Sequence, residues 1–140
     1  KKLIIALMSL MMLLLAACGN NENAEENNES VGDSEVKYDT IELDEVLTYE
    51  ENGYTIVDVR EVDEFADGHI PTAINVPLSD IAAQAQKEEF GELAEDGKYV
   101  IICRSGNRSQ TASSLLIDQG FHVVNVKEGM LTWPGEVEVE

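Results

Sequence analysis

The sequence predicts an α/β domain: a small parallel sheet of about five strands with helices on both faces. Two observations carry this. Short β-branched runs alternate with segments of helical spacing, and the central runs, Tyr54-Thr55-Ile56-Val57-Asp58-Val59 and Tyr99-Val100-Ile101-Ile102, are nearly continuous in apolar character. Strands buried on both faces read this way, and strands separated by helices imply parallel pairing. In chain order, Thr40–Leu43 is expected as a short edge strand and 44–51 as a helix stopped before Gly53. Residues 54–59 follow as a buried strand, 61–66 as a short helix ended by Gly68, and 73–76 as a strand bracketed by Pro71 and Pro77. Ser79 or Asp80 is the expected N-cap of a helix reaching about Phe90, with Ile81, Ala82, Ala85 and Glu89 at helical spacing. A helix over 109–119 places Ala112, Leu115, Leu116 and Gln119 on one side and ends at Gly120, a residue suited to the left-handed position after a helix. Val123–Val126 is the last strand. Residues 35–140 suffice for one core, and no internal repeat suggests a second domain.

The chemistry concentrates where the 99–102 strand runs into Cys103-Arg104-Ser105-Gly106-Asn107-Arg108-Ser109. In open parallel sheets, ligands bind beyond the carboxyl ends of strands, which is where Cys103 falls. A helix starting near Ser109 directs unpaired amides and the positive end of its dipole at the loop. Arg104 and Arg108 add two charges, and Gly106 allows the loop to curl with positive φ. A thiol in such surroundings is expected to ionise more readily than an isolated cysteine, whose pKa is about 8.5. Small buried hydrophobe is the commoner fate of a lone Cys, but the Arg, Gly and Asn neighbours argue for a nucleophile.

Three stretches together resemble the rhodanese (sulfurtransferase) family over most of residues 39–135. The first is Ile56-Val57-Asp58-Val59-Arg60-Glu61 through Glu64-Phe65, Gly68-His69-Ile70-Pro71 and Ala73–Pro77. The second is the loop 103–109, and the third is Val126-Lys127-Glu128-Gly129-Met130 with Trp133. One departure is Met130, where the family usually has a second glycine. The resemblance implies a single-domain sulfurtransferase in which Cys103 takes a sulfane sulfur from thiosulfate or a related small anion. It then passes that sulfur from a persulfide to a thiol or cyanide-like acceptor. Arg104, Ser105, Gly106, Asn107, Arg108 and Ser109 would cradle the substrate and the persulfide, as successive N–H groups do for anions. Asp58 and Arg60 would support the neighbouring loop. No cofactor is required, because sulfite leaves a sulfur–sulfur bond unaided.

Two other classes compete. Rhodanese folds are shared with some phosphatases and arsenate reductases, but cysteine phosphatases resemble His-Cys, five residues and Arg. Here Ile102 precedes the cysteine and Arg108 follows after four residues, a loop better suited to one sulfur than to a phosphate. A non-catalytic sulfur-binding module is the third reading, and the presence of Cys103 argues against it. With only His69 and His122 and no Cys/His cluster, no metal site is expected. His69 is read as a loop-stabilising residue and Trp133 as packing at the edge of the core.

The N-terminal stretch sets the expected compartment. Lys1 and Lys2 precede an apolar run over 3–17 broken only by Ser9, too short to span a bilayer and closed by Leu15-Ala16-Ala17-Cys18. This resembles the lipobox of bacterial lipoproteins. Residues 1–17 are therefore expected as a signal peptide, Cys18 as a lipidated residue carrying palmitate-type acyl chains, and 18–34 as a flexible acidic tether. The expected location is the extracytoplasmic face of a bacterial cell membrane. Cys103 is then left without a disulfide partner. Without residues 1–17, seven basic residues face 28 acidic ones, a balance of −21 that disfavours nucleic-acid partners. The domain is expected to act as a monomer.

Overall fold

The computed structural model describes residues 37–140. The expected signal peptide, Cys18 and the tether to residue 34 lie outside the described residues. The elements are β1 (Asp39–Ile41), a 3-10 turn (Leu43–Glu45), α1 (Val46–Glu51), β2 (Thr55–Asp58), α2 (Val62–Ala66) and β3 (Ile74–Asn75). Then follow α3 (Leu78–Lys87), β4 (Lys98–Cys103), α4 (Asn107–Asp118), β5 (His122–Gly129) and a second 3-10 turn (Met130–Thr132). The five strands form one parallel sheet in the order β1-β5-β4-β2-β3.

Alternation along β4 divides the core in two. Tyr99, Ile101 and Cys103 join Val57 of β2, Ile81 of α3 and Ala112 and Leu116 of α4 on one face. Val100 and Ile102 join Ile56, Val124 and Val126 with Leu43 and Val46 on the other, where Met130 and Trp133 pack at the edge. Val57, Val100, Ile101 and Ile102 are fully buried. Each such side chain contributes about 1.5–3 kcal/mol relative to exposure. The continuous apolar runs are thus central strands covered by helices on both faces.

Three helix boundaries depart from expectation. α4 starts at Asn107, with Gly106 as its N-cap at φ +89°, two residues before the expected Ser109. The loop that curls over the sulfur therefore becomes the first turn of the helix almost at once. α3 starts at Leu78 with Pro77 as its N-cap, so neither Ser79 nor Asp80 caps it. Proline presets the extended-to-helical entry without needing its missing N–H. The same helix stops at Lys87 rather than near Phe90, because Glu88 adopts the left-handed conformation at φ +56°. Phe90 instead packs edge-on against Phe121 at 4.8 Å.

β5 is longer than expected and irregular where it matters. Ile101 pairs with Asn125 but Cys103 pairs with Gly129, so two residues of β4 face four of β5. The excess pushes the Lys127–Glu128 backbone out against the 103–109 loop. A Cβ at Gly106 would overlap the Lys127 carbonyl oxygen, and one at Gly129 would overlap the backbone of Cys103 and Arg104. The loop and the bulge fit together only with glycine at both positions.

Candidate active site

Cys103 ends β4 at the carboxyl edge of the sheet and is 1% exposed. Its burial departs from the expectation of a thiol held clear of the interior. The reason is that the side chain points to the α4 face, into the buried cluster that includes Val57 and Ala112. Its surroundings are nonetheless polar on the loop side. Gly106 N–H donates to Sγ at 3.1 Å, and the thiol faces the Ser109 hydroxyl oxygen at 3.6 Å. The Ser109 hydroxyl is itself fully buried and donates to Gly106 O at 3.1 Å, with Val126 O at 3.4 Å as a second acceptor. No side chain caps α4, so its leading amides face the loop without a side-chain competitor. Gln110 Nε2 donates to Gly106 O at 3.0 Å and fixes the same peptide from outside. The loop thus turns the Gly106 N–H towards the sulfur and sets the Ser109 hydroxyl oxygen beside it.

The three arginines near the loop do different things. Arg60 and Asp58, 7% and 0% exposed, form a buried pair: Nε reaches both carboxylate oxygens at 3.0 and 2.9 Å and Nη2 reaches Oδ2 at 2.6 Å. Arg60 also donates its backbone N–H to Asp58 Oδ1 and Nη2 to Gly68 O, at 3.0 and 2.8 Å. Asn75 Nδ2 adds two bonds at 2.9 Å to the carbonyls of Asp58 and Arg60. This network braces the loop from β2 to Gly68, the supporting role expected of Asp58 and Arg60.

Arg108 grips Glu64 across the loop with two parallel bonds of 2.6 and 2.8 Å. Arg108 holds the Glu64 carboxyl down at about 2, against an ordinary 4.5, and Glu64 raises Arg108 in turn, with a weaker push from Cys103. Glu64 is presented for this by its own helix start, where Glu61 N–H donates to Glu64 Oε2 at 3.3 Å. Most of the positive charge expected from Arg108 is therefore answered by a carboxylate. Arg104, exposed, has no ion-pair partner among the described residues. Its carbonyl accepts from Leu131 N–H at 3.0 Å, tying the loop to the turn after β5. Ser105 and Asn107 complete the loop, Ser105 exposed beside Arg104 and Asn107 opening α4.

His69 is buried, stacked on Phe65 at 3.7 Å, with Nδ1 2.9 Å from Phe65 O. It stabilises its loop as expected. Trp133 is half-buried, with Nε1 donating to Glu136 O at 3.1 Å.

Two features escape a reading of the sequence alone. Glu64 appears there as an ordinary first-turn helix acid. The last residues are the other: Glu138 and His69 exchange backbone bonds of 2.8 and 2.9 Å, and Glu140 N–H donates to Ala66 O at 3.1 Å. The alternation Glu136-Val137-Glu138-Val139-Glu140 is the period-two signal that marks this extended strap.

An open hollow of about 420 Å³ lies beside the loop, lined by Arg60, Glu64, Asp67, Gly68, Arg104, Met130, Leu131 and Val137. Met130, the departure from the family pattern, is half-buried in its wall. A second hollow of about 500 Å³ sits at the opposite, amino-terminal end of the strands, lined by Lys37, Tyr38, Tyr54 and His122 among others, and contains no cysteine. No cluster of metal-ligating side chains occurs among the described residues.

Known proteins align with this picture. The Rhodanese-like domain family matches residues 42–136. YtwF of Bacillus subtilis (strain 168), a protein named as a sulfurtransferase, is 41% identical over 99 residues, covering 71% of this chain and 90% of its own. The thiosulfate sulfurtransferase GlpE of Pseudomonas savastanoi pv. phaseolicola is 34% identical over 84 residues, 59% of this chain and 74% of its own. Among solved structures, a rhodanese-related protein from Thermoplasma volcanium superposes with a TM-score of 0.62 at 33% identity, covering 74% of this chain and all of that one. A parallel five-stranded sheet, a cysteine at the end of its central strand and a match spanning both place the chain in the rhodanese-like domain family of sulfurtransferase-related proteins.

Proposed function

We propose that this domain transfers sulfane sulfur through a persulfide on Cys103, with thiosulfate or a related small anion as donor and a thiol or cyanide-like nucleophile as acceptor. The observation that carries it is the loop geometry: Gly106 N–H directed at Sγ, Ser109 beside it, and an uncapped helix starting at Asn107. Ionised Cys103 attacks the outer sulfur of the donor, the donor's S–S bond breaks, and its electron pair leaves on sulfite. The product is Cys–S–S⁻, and no proton moves. The acceptor then attacks the terminal sulfur and returns the Cys103 thiolate. Neither half-reaction needs a general acid, since weakly basic sulfite leaves in the first and the Cys103 thiolate, held by the loop, leaves in the second. The loop amides stabilise charge on sulfur in both forms of the enzyme. Arg104, Ser105, Gly106, Asn107, Arg108 and Ser109 form the binding loop in this reading, with Arg104 its uncompensated cation. Asp58 and Arg60 act by positioning, through the brace beneath the loop.

The test is intact mass of reduced protein after exposure to thiosulfate. The expected result is a gain of one sulfur atom that is absent in Cys103→Ser and removed by cyanide as thiocyanate. A wild-type protein that never gains sulfur overturns the reading.

We also propose that lipid on Cys18 holds the domain at the extracytoplasmic face of the cell membrane as a monomer. The support is the apolar run ending in Leu15-Ala16-Ala17-Cys18. No helix among the described residues is long and apolar enough to cross a membrane. Fatty-acid labelling that persists in Cys18→Ser would exclude this anchor.

A further inference from the structure

The hollow that Arg104 shares with the Cys103 loop carries a charge balance and an apolar wall that bear on the donor. Arg60 and Arg104 line it, and Arg108 reaches it only through its partner Glu64; Arg60 is matched by Asp58 and Arg108 by Glu64. Asp67 lines the same hollow as the remaining charge, Arg104. Asp58, Arg60, Glu64, Asp67, Arg104 and Arg108 therefore sum to zero, in a domain whose overall charge is strongly negative. A dianion gains little from such a mouth and loses more hydration than a monoanion on entering it.

The other half of the wall is apolar. Met130, Leu131 and Val137 contribute it, with Leu131 and Val137 66% and 52% exposed. Val137 sits on Gly68, held there by the backbone exchange between Glu138 and His69. The family match covers residues 42–136, and Val137 follows it directly. Exposed aliphatic side chains fixed at the mouth of a hollow gain free energy when a ligand covers them.

Resting on the sulfur-transfer reading, we propose that the hollow selects a monoanionic organic sulfane donor, a hydropersulfide or thiosulfonate bearing an apolar group, over the inorganic thiosulfate dianion. Arg104 holds the single charge, and Leu131, Val137 and Met130 cover the organic group. With a hydropersulfide, the Cys103 thiolate attacks the terminal sulfur of R–S–S⁻, the donor bond breaks, and R–S⁻ leaves. One Cys–S–S⁻ forms for each thiolate released, and no oxidant or reductant is consumed. With a thiosulfonate the leaving group is the sulfinate.

The test uses butanethiosulfonate, methanethiosulfonate and thiosulfate as probes. The two alkyl donors share one leaving-group chemistry and differ only in apolar length. Second-order rates of Cys103 persulfide formation are read by intact mass and normalised to reaction of each donor with free cysteine. The wild type is expected to favour the butyl over the methyl donor by about tenfold, the scale on which apolar pockets count methylenes. Normalised thiosulfate is expected to be slower than either. In Leu131→Ser/Val137→Ser the butyl preference falls to near unity. Both residues are more than half exposed, and an unchanged urea midpoint checks that the fold is kept. A flat alkyl series, a butyl preference that survives the double substitution, or normalised thiosulfate as the fastest donor overturns the assignment while leaving sulfur transfer standing. Failure of all three to load Cys103 overturns the sulfur-transfer reading, and the donor class falls with it.

Discussion

Replacing Asp58 by alanine isolates the brace beneath the loop. Asp58 is fully buried and accepts four bonds from Arg60, three from the guanidinium at 2.6–3.0 Å and one from the backbone N–H at 3.0 Å. Arg60, 7% exposed, keeps only its bond to Gly68 O once that carboxylate is gone. Leaving a buried guanidinium without its counter-charge costs about 3–5 kcal/mol, far more than the net worth of the intact pair. Against a total of about 5–15 kcal/mol for a domain, that is a large fraction of its stability. The exposed pair of Lys127 and Glu42, 63% and 54% exposed, is the internal control, and Lys127→Met is expected to leave the midpoint almost unchanged. Urea unfolding at neutral pH, followed by circular dichroism and by the single tryptophan, Trp133, gives both numbers from the midpoint at constant slope. The Asp58→Ala loss should also resist added salt, since buried pairs are poorly screened. A loss under about 1 kcal/mol at unchanged slope would falsify the brace. Folded Asp58→Ala that cannot load sulfur at all would make Asp58 a participant in the chemistry rather than a support.

Gly106→Ala is expected to cost about 1–2 kcal/mol for the left-handed backbone and about 1–3 kcal/mol more for the overlap with Lys127 O, and to abolish sulfur loading; wild-type loading rates in this variant would show that the loop does not need its curl. Glu64 has a carboxyl held down at about 2, so its contribution is present above the unfolded value near 4.5 and lost as pH falls towards 2. The stability gap between wild type and Glu64→Gln should therefore be open at pH 6, at no more than about 1 kcal/mol for a pair 27–30% exposed, and close on acidification; a gap that widens below pH 4 refutes the sign. Ser109→Ala slows loading by roughly tenfold if its hydroxyl, which donates to Gly106 O and accepts from the thiol, turns to donate to charged sulfur, a typical loss of about 1.5 kcal/mol for a bond to a charged group; unchanged loading with lowered stability would reduce Ser109 to a structural tie between Gly106 and Val126.

Local pattern alone determined the class of this domain and the position of Cys103 at the end of a central strand. The apolar runs at 54–59 and 99–102 fix two buried strands, and Gly106 marks where the loop curls, although the helix expected from Ser109 starts at Asn107. Everything between Cys103 and Ser109 lies within seven residues, so sequence spacing and spatial proximity coincide there. Tertiary structure decided what the charges do. Arg108 meets Glu64 across 44 residues, and nothing in either segment announces the other. The Arg104–Leu131 tie, the bulge that drives Lys127 against Gly106, and the strap that seats Val137 on Gly68 likewise join segments far apart in the chain. The burial of Cys103 follows from the same cause, because the side on which a strand's last residue points depends on which helices cover the sheet. Residue types and short spacings state which groups are available. Only the packing of distant segments fixes which charges are left unpaired, and so how much positive potential remains for a sulfur anion.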